Sequence, residues 1–165
     1  RNVTVAPNSV PTYGMLVGQT KPSVVIPTGY SSCEGPLDVH AFDAETGEDH
    51  WFFQGSYWKP TFGIGALSDW DLKVMAQRLL NRVRPVTIPN AWSMPTIDGE
   101  GIVFAADQSG KMFRLQDLDG DGKVSGPGEV QVLTTDAAWV GSANIAIIPG
   151  MLTTTNVKSL MVWNY

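Results

Sequence analysis

Three stretches of this 165-residue chain repeat one pattern: a short apolar strand, a turn, and a second strand of alternating hydrophobicity. SVVIPTG leads to LDVHAFDAETGEDHW, GIVFAADQSG leads to KMFRLQDLDGDGKV, and ANIAIIPG leads to SLMVWNY. Phe42, Leu115 and Trp163 occupy matching places, at spacings of 73 and 48. One such unit cannot bury both of its faces alone, so units of this kind stack on one another. A period near 40–50 residues with several strands per unit is the signature of a β-propeller blade. The expected fold is therefore all-β: a partial propeller of about two to three four-stranded blades. The alternative is an open two-sheet sandwich. A propeller closes with about four to eight blades, so other chains or further segments are expected to complete the ring.

Candidate strands are 23–27, 37–43, 49–54, 101–106, 111–116, 129–133, 143–148 and 159–164. They are rich in β-branched and aromatic residues and bounded by Gly, Pro and Asp turns. One segment differs. In 68–83, SDWDLKVMAQRLLNRV, Leu72, Met75, Ala76, Leu79, Leu80 and Val83 recur at helical spacing, Ser68 and Asp71 resemble a capping box, and Pro85 stops the run. The expected organisation is an extended segment 1–22, a first blade 23–54, an insertion 55–92 carrying a helix over 68–83, a second blade 93–133, and the start of a third over 134–165. Lys73, Arg78, Arg82 and Arg84 gather basic charge in an otherwise acidic chain. With Tyr57 and Trp58 of the aromatic stretch 55–63 they form the expected partner-binding surface, because insertions project from repeat frameworks. A solvated helix face is the plainer account of the same charges.

The stretch Ala41 to Trp51, AFDAETGEDHW, resembles the repeat of the PQQ-like, quinoprotein-type β-propellers, whose pattern Ala41, Asp43, Thr46, Gly47 and Trp51 all match. The resemblance implies that Thr46 and Gly47 form the tight turn between outer strands and that Trp51 docks between blades. Residues 95–115 are similar to the family's strand pair, with Pro95, Asp98, Gly99 and Gly110 in place, and then depart from it at DLDGDGKVSGPGEV. The family includes PQQ-dependent dehydrogenases and cofactor-free scaffolds. Its dehydrogenases carry an adjacent cysteine pair over the quinone. This chain has one cysteine, Cys33, so PQQ is not expected and no disulfide can form within the chain.

The departing stretch has chemistry of its own. Asp117, Asp119 and Asp121 alternate, Gly122 follows, and Lys123 and Ser125 stand at the seventh and ninth places. The string resembles an EF-hand-type or integrin-type calcium loop. Calcium takes six to eight oxygens; carboxylates at positions one, three and five converge when the loop curls, glycine at six permits the turn, the seventh residue offers its carbonyl and the ninth a hydroxyl or a water. The twelfth place is Gly128, and the acid, Glu129, comes one later. The expected ligands are Asp117, Asp119, Asp121, Lys123, Ser125 and Glu129, with calcium as a structural ion. A solvated acidic turn is the competing account.

Charged residues are only 16% of the chain, against roughly 25% in an average domain, which argues against disorder. The net charge of −5 argues against a nucleic-acid surface. No apolar run reaches the length of a membrane span. His40 and His50 are expected to be structural strand residues, and no common catalytic fingerprint occurs. The expected function is a non-enzymatic scaffold or interaction subunit, partnered by another protein or by the rest of the same propeller. The alternatives are a fragment of a PQQ-dependent dehydrogenase and a carbohydrate-binding module using Tyr57, Trp58 and Trp92. The resemblance, the sequon at Asn2 and the calcium-type loop together point to an extracytoplasmic location, in periplasm, secretion or an organelle lumen.

Overall fold

A computed structural model describes residues 10–28, 38–55, 76, 79–82, 92–107, 110–134, 145–156 and 159–164. Among them are eleven strands in three antiparallel sheets. Sheet 1 holds β1 (Thr12–Gly14), β2 (Ser23–Pro27), β3 (Asp38–Asp43) and β4 (Asp49–Gln54). Sheet 2 holds β5 (Thr96–Ile97), β6 (Val103–Ala106), β7 (Lys111–Leu115) and β8 (Val130–Thr134). Sheet 3 holds β9 (Ala146–Ile148), β10 (Met151–Thr155) and β11 (Leu160–Asn164). Within each sheet the strands lie in chain order, so each is an antiparallel meander.

The registers of the three sheets coincide. Tyr13, Val24 and Phe42 form one cross-strand row in sheet 1; Ile97, Val103 and Leu115 form the same row in sheet 2, and Ile147, Leu152 and Trp163 in sheet 3. The adjacent row, on the opposite face of each sheet, runs Thr12, Val25, Ala41 in the first sheet, Thr96, Phe104, Arg114 in the second and Ala146, Thr153, Val162 in the third. The equivalence expected of Phe42, Leu115 and Trp163 thus holds at the level of strand pairing.

The sheets stack in series. Val25, Val39, Ala41, Trp51 and Phe53 of sheet 1 share one buried cluster with Val103, Ala105, Phe113 and Leu115 of sheet 2. Phe104, Ala106 and Met112, from the other face of sheet 2, share a second cluster with Leu152, Ile147 and Trp163 of sheet 3. Fully burying a Val, Leu, Phe or Met side chain in these clusters contributes about 1.5–3 kcal/mol, which helps hold a meander that would be marginal alone. The middle sheet is covered on both sides, so β6, VFAA, is buried at every position rather than at alternate ones. A two-sheet sandwich gives each sheet only one inner face, and three sheets in series replace that alternative. Phe53, Trp92 and Phe113 close the first junction, with ring centroids 5.2 to 6.2 Å apart in tilted and edge-on pairs.

The first strands of sheets 1 and 2 repeat a polar contact. The Thr12 hydroxyl donates to the carbonyl of Pro95, and the Thr96 hydroxyl, its register equivalent, donates to the carbonyl of Ile145 at 2.8 Å. Both acceptors immediately precede the first strand of the next sheet.

Three expectations change. The first sheet begins within the expected extended segment 1–22, because Thr12–Gly14 pairs with β2. In the third unit the stretch ANIAII was aligned with β2 and β6, yet Ala146–Ile148 is the first strand and Met151–Thr155 the second. The run of three threonines satisfies β-geometry without the apolar alternation that marks a strand in sequence. The helical insertion over 68–83 is not among the elements. Most of it lies outside the described residues; Ala76, Leu79 and Leu80 have helical backbone, and all three are exposed. An amphipathic helix takes most of its stability from packing its apolar face, which these residues lack. No helix of the described residues is long and apolar enough to cross a membrane.

Candidate functional site

The acidic loop joins β7 to β8 and curls around one carboxylate. Glu129 Oε1 accepts the amides of Leu118 at 2.9 Å and Asp119 at 3.4 Å, and Oε2 accepts those of Ser125 at 2.9 Å and Gly126 at 2.6 Å. These hydrogen bonds, led by that from Leu118, pull the Glu129 carboxyl from 4.5 down to about 2. Asp117 performs the same task at the loop tip, its Oδ1 taking the Gly120 amide at 2.8 Å and its Oδ2 the Gly122 amide at 3.2 Å. Gly122 has φ 80°, the left-handed backbone that the sixth position of such a loop requires.

Oxygens of Asp117, Asp119 and Glu129 come within 4.8 Å of one another. Asp117 and Glu129 are buried and Asp119 is exposed. Three carboxylate oxygens at this range could hold a metal ion, and the oxygens of Asp117 and Glu129 already accept backbone amides. The other expected ligands serve differently. Asp121 is outside the converging group, and its carboxylate takes the Lys123 amide at 2.7 Å. Ser125 contributes its amide to Glu129. Glu129 reaches the group from the thirteenth place because Gly126, Pro127 and Gly128 turn the chain back; a Cβ on Gly126 would stand 2.9 Å from Glu129 Oε2.

The loop is anchored across the sheet junction. Lys123 forms a parallel bridge with Phe52 of β4, and Val124 is buried in the first hydrophobic cluster. Sequence spacing gave no sign of this docking. The loop holds two large apolar residues, and of these Val124 is buried while Leu118 is exposed.

A second polar cluster sits beside this docking, at the start of β4, where a Cβ on Gly122 would stand 3.4 Å from the His50 carbonyl oxygen. Ser23 Oγ lies 2.7 Å from His50 Nδ1, and His50 Nε2 lies 3.6 Å from Asp43 Oδ2. The trio has the composition of a hydrolytic triad, but Ser23 is fully buried. Asp43 Oδ1 accepts the amides of Thr46 at 2.9 Å and Glu45 at 2.8 Å, which hold its carboxyl below the usual range, the Thr46 bond foremost. The geometry is that of a turn clamp: it ties the start of β2 to the β3–β4 turn in which Thr46 and Gly47 sit. His40 is buried between Phe42 and Phe52, stacked on both. Trp51 lies fully buried in the cluster shared by sheets 1 and 2.

Of the residues expected to bind a partner, Lys73, Arg78, Arg84, Tyr57 and Trp58 lie outside the described residues. Arg82 is exposed in a turn with φ 55°. A scan against protein-family models gives no match, and a search of curated proteins gives none either.

Proposed function

We propose that this chain is a non-enzymatic segment of a PQQ-like β-propeller, acting as an extracytoplasmic scaffold whose second blade carries a structural calcium loop. The observation that supports it is the serial stacking of register-equivalent meanders, each joined to the next by the same hydroxyl-to-carbonyl bond. Sheets that stack this way around an axis become blades, and a ring of blades offers rigid faces for assembly. The match of Ala41, Asp43, Thr46, Gly47 and Trp51 to the family's repeat agrees with the clamp at Asp43 and with burial of Trp51 between sheets.

Asp117, Asp119 and Glu129 would hold the calcium, and its role would be to fix the loop against β4. A site of this kind, with one exposed carboxylate, suits the high calcium of extracytoplasmic spaces.

Two measurements test the reading. Calcium titration raises the melting temperature of the wild type, and Asp117→Asn abolishes that rise. Addition of PQQ with calcium gives no bound quinone absorbance and no dye-linked oxidation of alcohols or sugars. Quinone-dependent turnover would overturn the scaffold reading, and a melt indifferent to calcium would remove the ion.

A further inference from the structure

The dipeptide Asp-Gly occurs three times in the chain, at Asp98 and Gly99, Asp119 and Gly120, and Asp121 and Gly122. It carries a reaction of its own. The glycine nitrogen attacks the aspartate Cγ; a C–N bond forms, the amide proton and the carboxyl hydroxyl leave as water, and a cyclic imide results. Water then opens the ring. Breaking the bond from nitrogen to the side-chain carbonyl restores aspartate; breaking the bond to the main-chain carbonyl routes the backbone through Cγ and leaves isoaspartate. Glycine favours the attack because it has no Cβ to obstruct the nitrogen.

The three sites share one local geometry. Asp98 Oδ1 accepts the Glu100 amide at 2.9 Å, Asp119 Oδ1 the Asp121 amide at 3.1 Å and Asp121 Oδ1 the Lys123 amide at 2.7 Å. Each carboxyl is thereby folded over the peptide that follows it, with Cγ beside the glycine nitrogen. The sites differ at the attacking atom. Asp117 takes the Gly120 amide at 2.8 Å and the Gly122 amide at 3.2 Å. Gly99 is exposed in the turn between β5 and β6, and its amide has no acceptor among the described residues.

We infer that Asp98 is a site of spontaneous modification to isoaspartate, and that Asp117 shields Asp119 and Asp121 from the same reaction by holding both glycine amides in place. Exposure alone would rank the sites the other way, since Asp119 and Asp121 are exposed and Asp98 is half-buried. The change matters at Asp98 because its carboxylate also takes the Ile102 amide at 2.9 Å, and its carbonyl takes the Gly101 amide at 3.2 Å. Isomerisation exchanges those two groups and lengthens the main chain by one carbon. It does so in the turn whose Gly101 carbonyl accepts the Val17 amide at 3.1 Å, so an aged chain loosens between that turn and the segment after β1.

Peptide mapping of the protein aged at neutral pH with a chelator present tests this, with isoaspartate told from aspartate by its backbone fragments in electron-transfer dissociation. Isoaspartate is expected at Asp98 about tenfold or more faster than at Asp119 or Asp121, because an amide bonded to a carboxylate must first be released. In urea, with that bond gone, the three sites should react at similar rates. Gly99→Ala has open space for its Cβ, so it should fold as the wild type does and lose most of the reaction at Asp98. Asp117→Ala should bring Asp119 and Asp121 up to the rate of Asp98; if that variant does not fold, the comparison of native wild type with wild type in urea decides the same point. Equal rates at the three sites in the native protein, or no product at Asp98, overturn the inference. Faster product at Asp119 or Asp121 overturns it as well, because Asp117 would then be drawing the proton off the glycine nitrogen rather than holding the amide.

Discussion

Val124 donates its amide to the carbonyl of Phe52 at 2.9 Å, and Phe52 donates in return to the carbonyl of Gly122 at 3.1 Å. Two residues 72 positions apart thereby attach the acidic loop of sheet 2 to the edge strand of sheet 1. An unpaired strand edge is a site for stray pairing, and the loop covers part of this one. The same contact places the Val124 side chain in the cluster with Trp51 and Phe53.

Val124→Ala should therefore do more than trim a loop. Removing the buried methyls should cost about 2 kcal/mol in urea unfolding. Ser125→Ala, one residue on, should stay within about 0.5 kcal/mol, because Ser125 is exposed and engages Glu129 through its amide. Equal losses at the two positions would show that the loop is not seated in the junction.

Acid should act through Glu129. Its carboxyl titrates near 4.5 when unconstrained and near 2 in the fold. The stabilisation it brings is complete above about pH 4.5 and is lost as pH falls toward about 2, because the unfolded chain takes up the proton first. Glu129→Gln should be less stable than wild type at pH 7, and the gap should narrow across that window. Melts at half-unit pH steps check it; a gap that stays constant down to pH 2 would place the charge elsewhere.

Gly101 tests the turn between β5 and β6. Its φ is 86°, and a Cβ there would stand 2.7 Å from the Val17 nitrogen and 2.9 Å from the Met15 oxygen. Backbone cannot yield as a flexible side chain can, so Gly101→Ala should cost about 3 kcal/mol. Gly99→Ala, with open space around it, should cost much less. Chemical denaturation of the pair gives the comparison.

Much of the sheet framework was legible because its strands alternate. SVVIP reads as in-out-in and is buried at its first, third and fifth residues. The register of Phe42, Leu115 and Trp163 followed from the same periodicity. What stayed hidden was short or polar: Thr12–Gly14 and Thr96–Ile97 are too brief for a period, and MLTTT lacks one. In the site, the alternating aspartates announced the loop. The role of Glu129 was harder to read, because a carboxylate that closes the loop by taking four amides depends on how the chain returns through Gly126 and Gly128, a matter of backbone path rather than of spacing. The docking on Phe52 is a long-range contact and leaves no local pattern.

Native-state hydrogen exchange tests the serial order of the sheets most directly. Sheet 2 is covered on both faces, so the amides of Val103–Ala106 and Lys111–Leu115 should exchange last, at the free energy of global unfolding, and those of Met151–Thr155 and Leu160–Asn164 should open earlier. Amides of the third sheet outlasting those of Val103–Ala106 would mean that sheet 2 is not the middle layer.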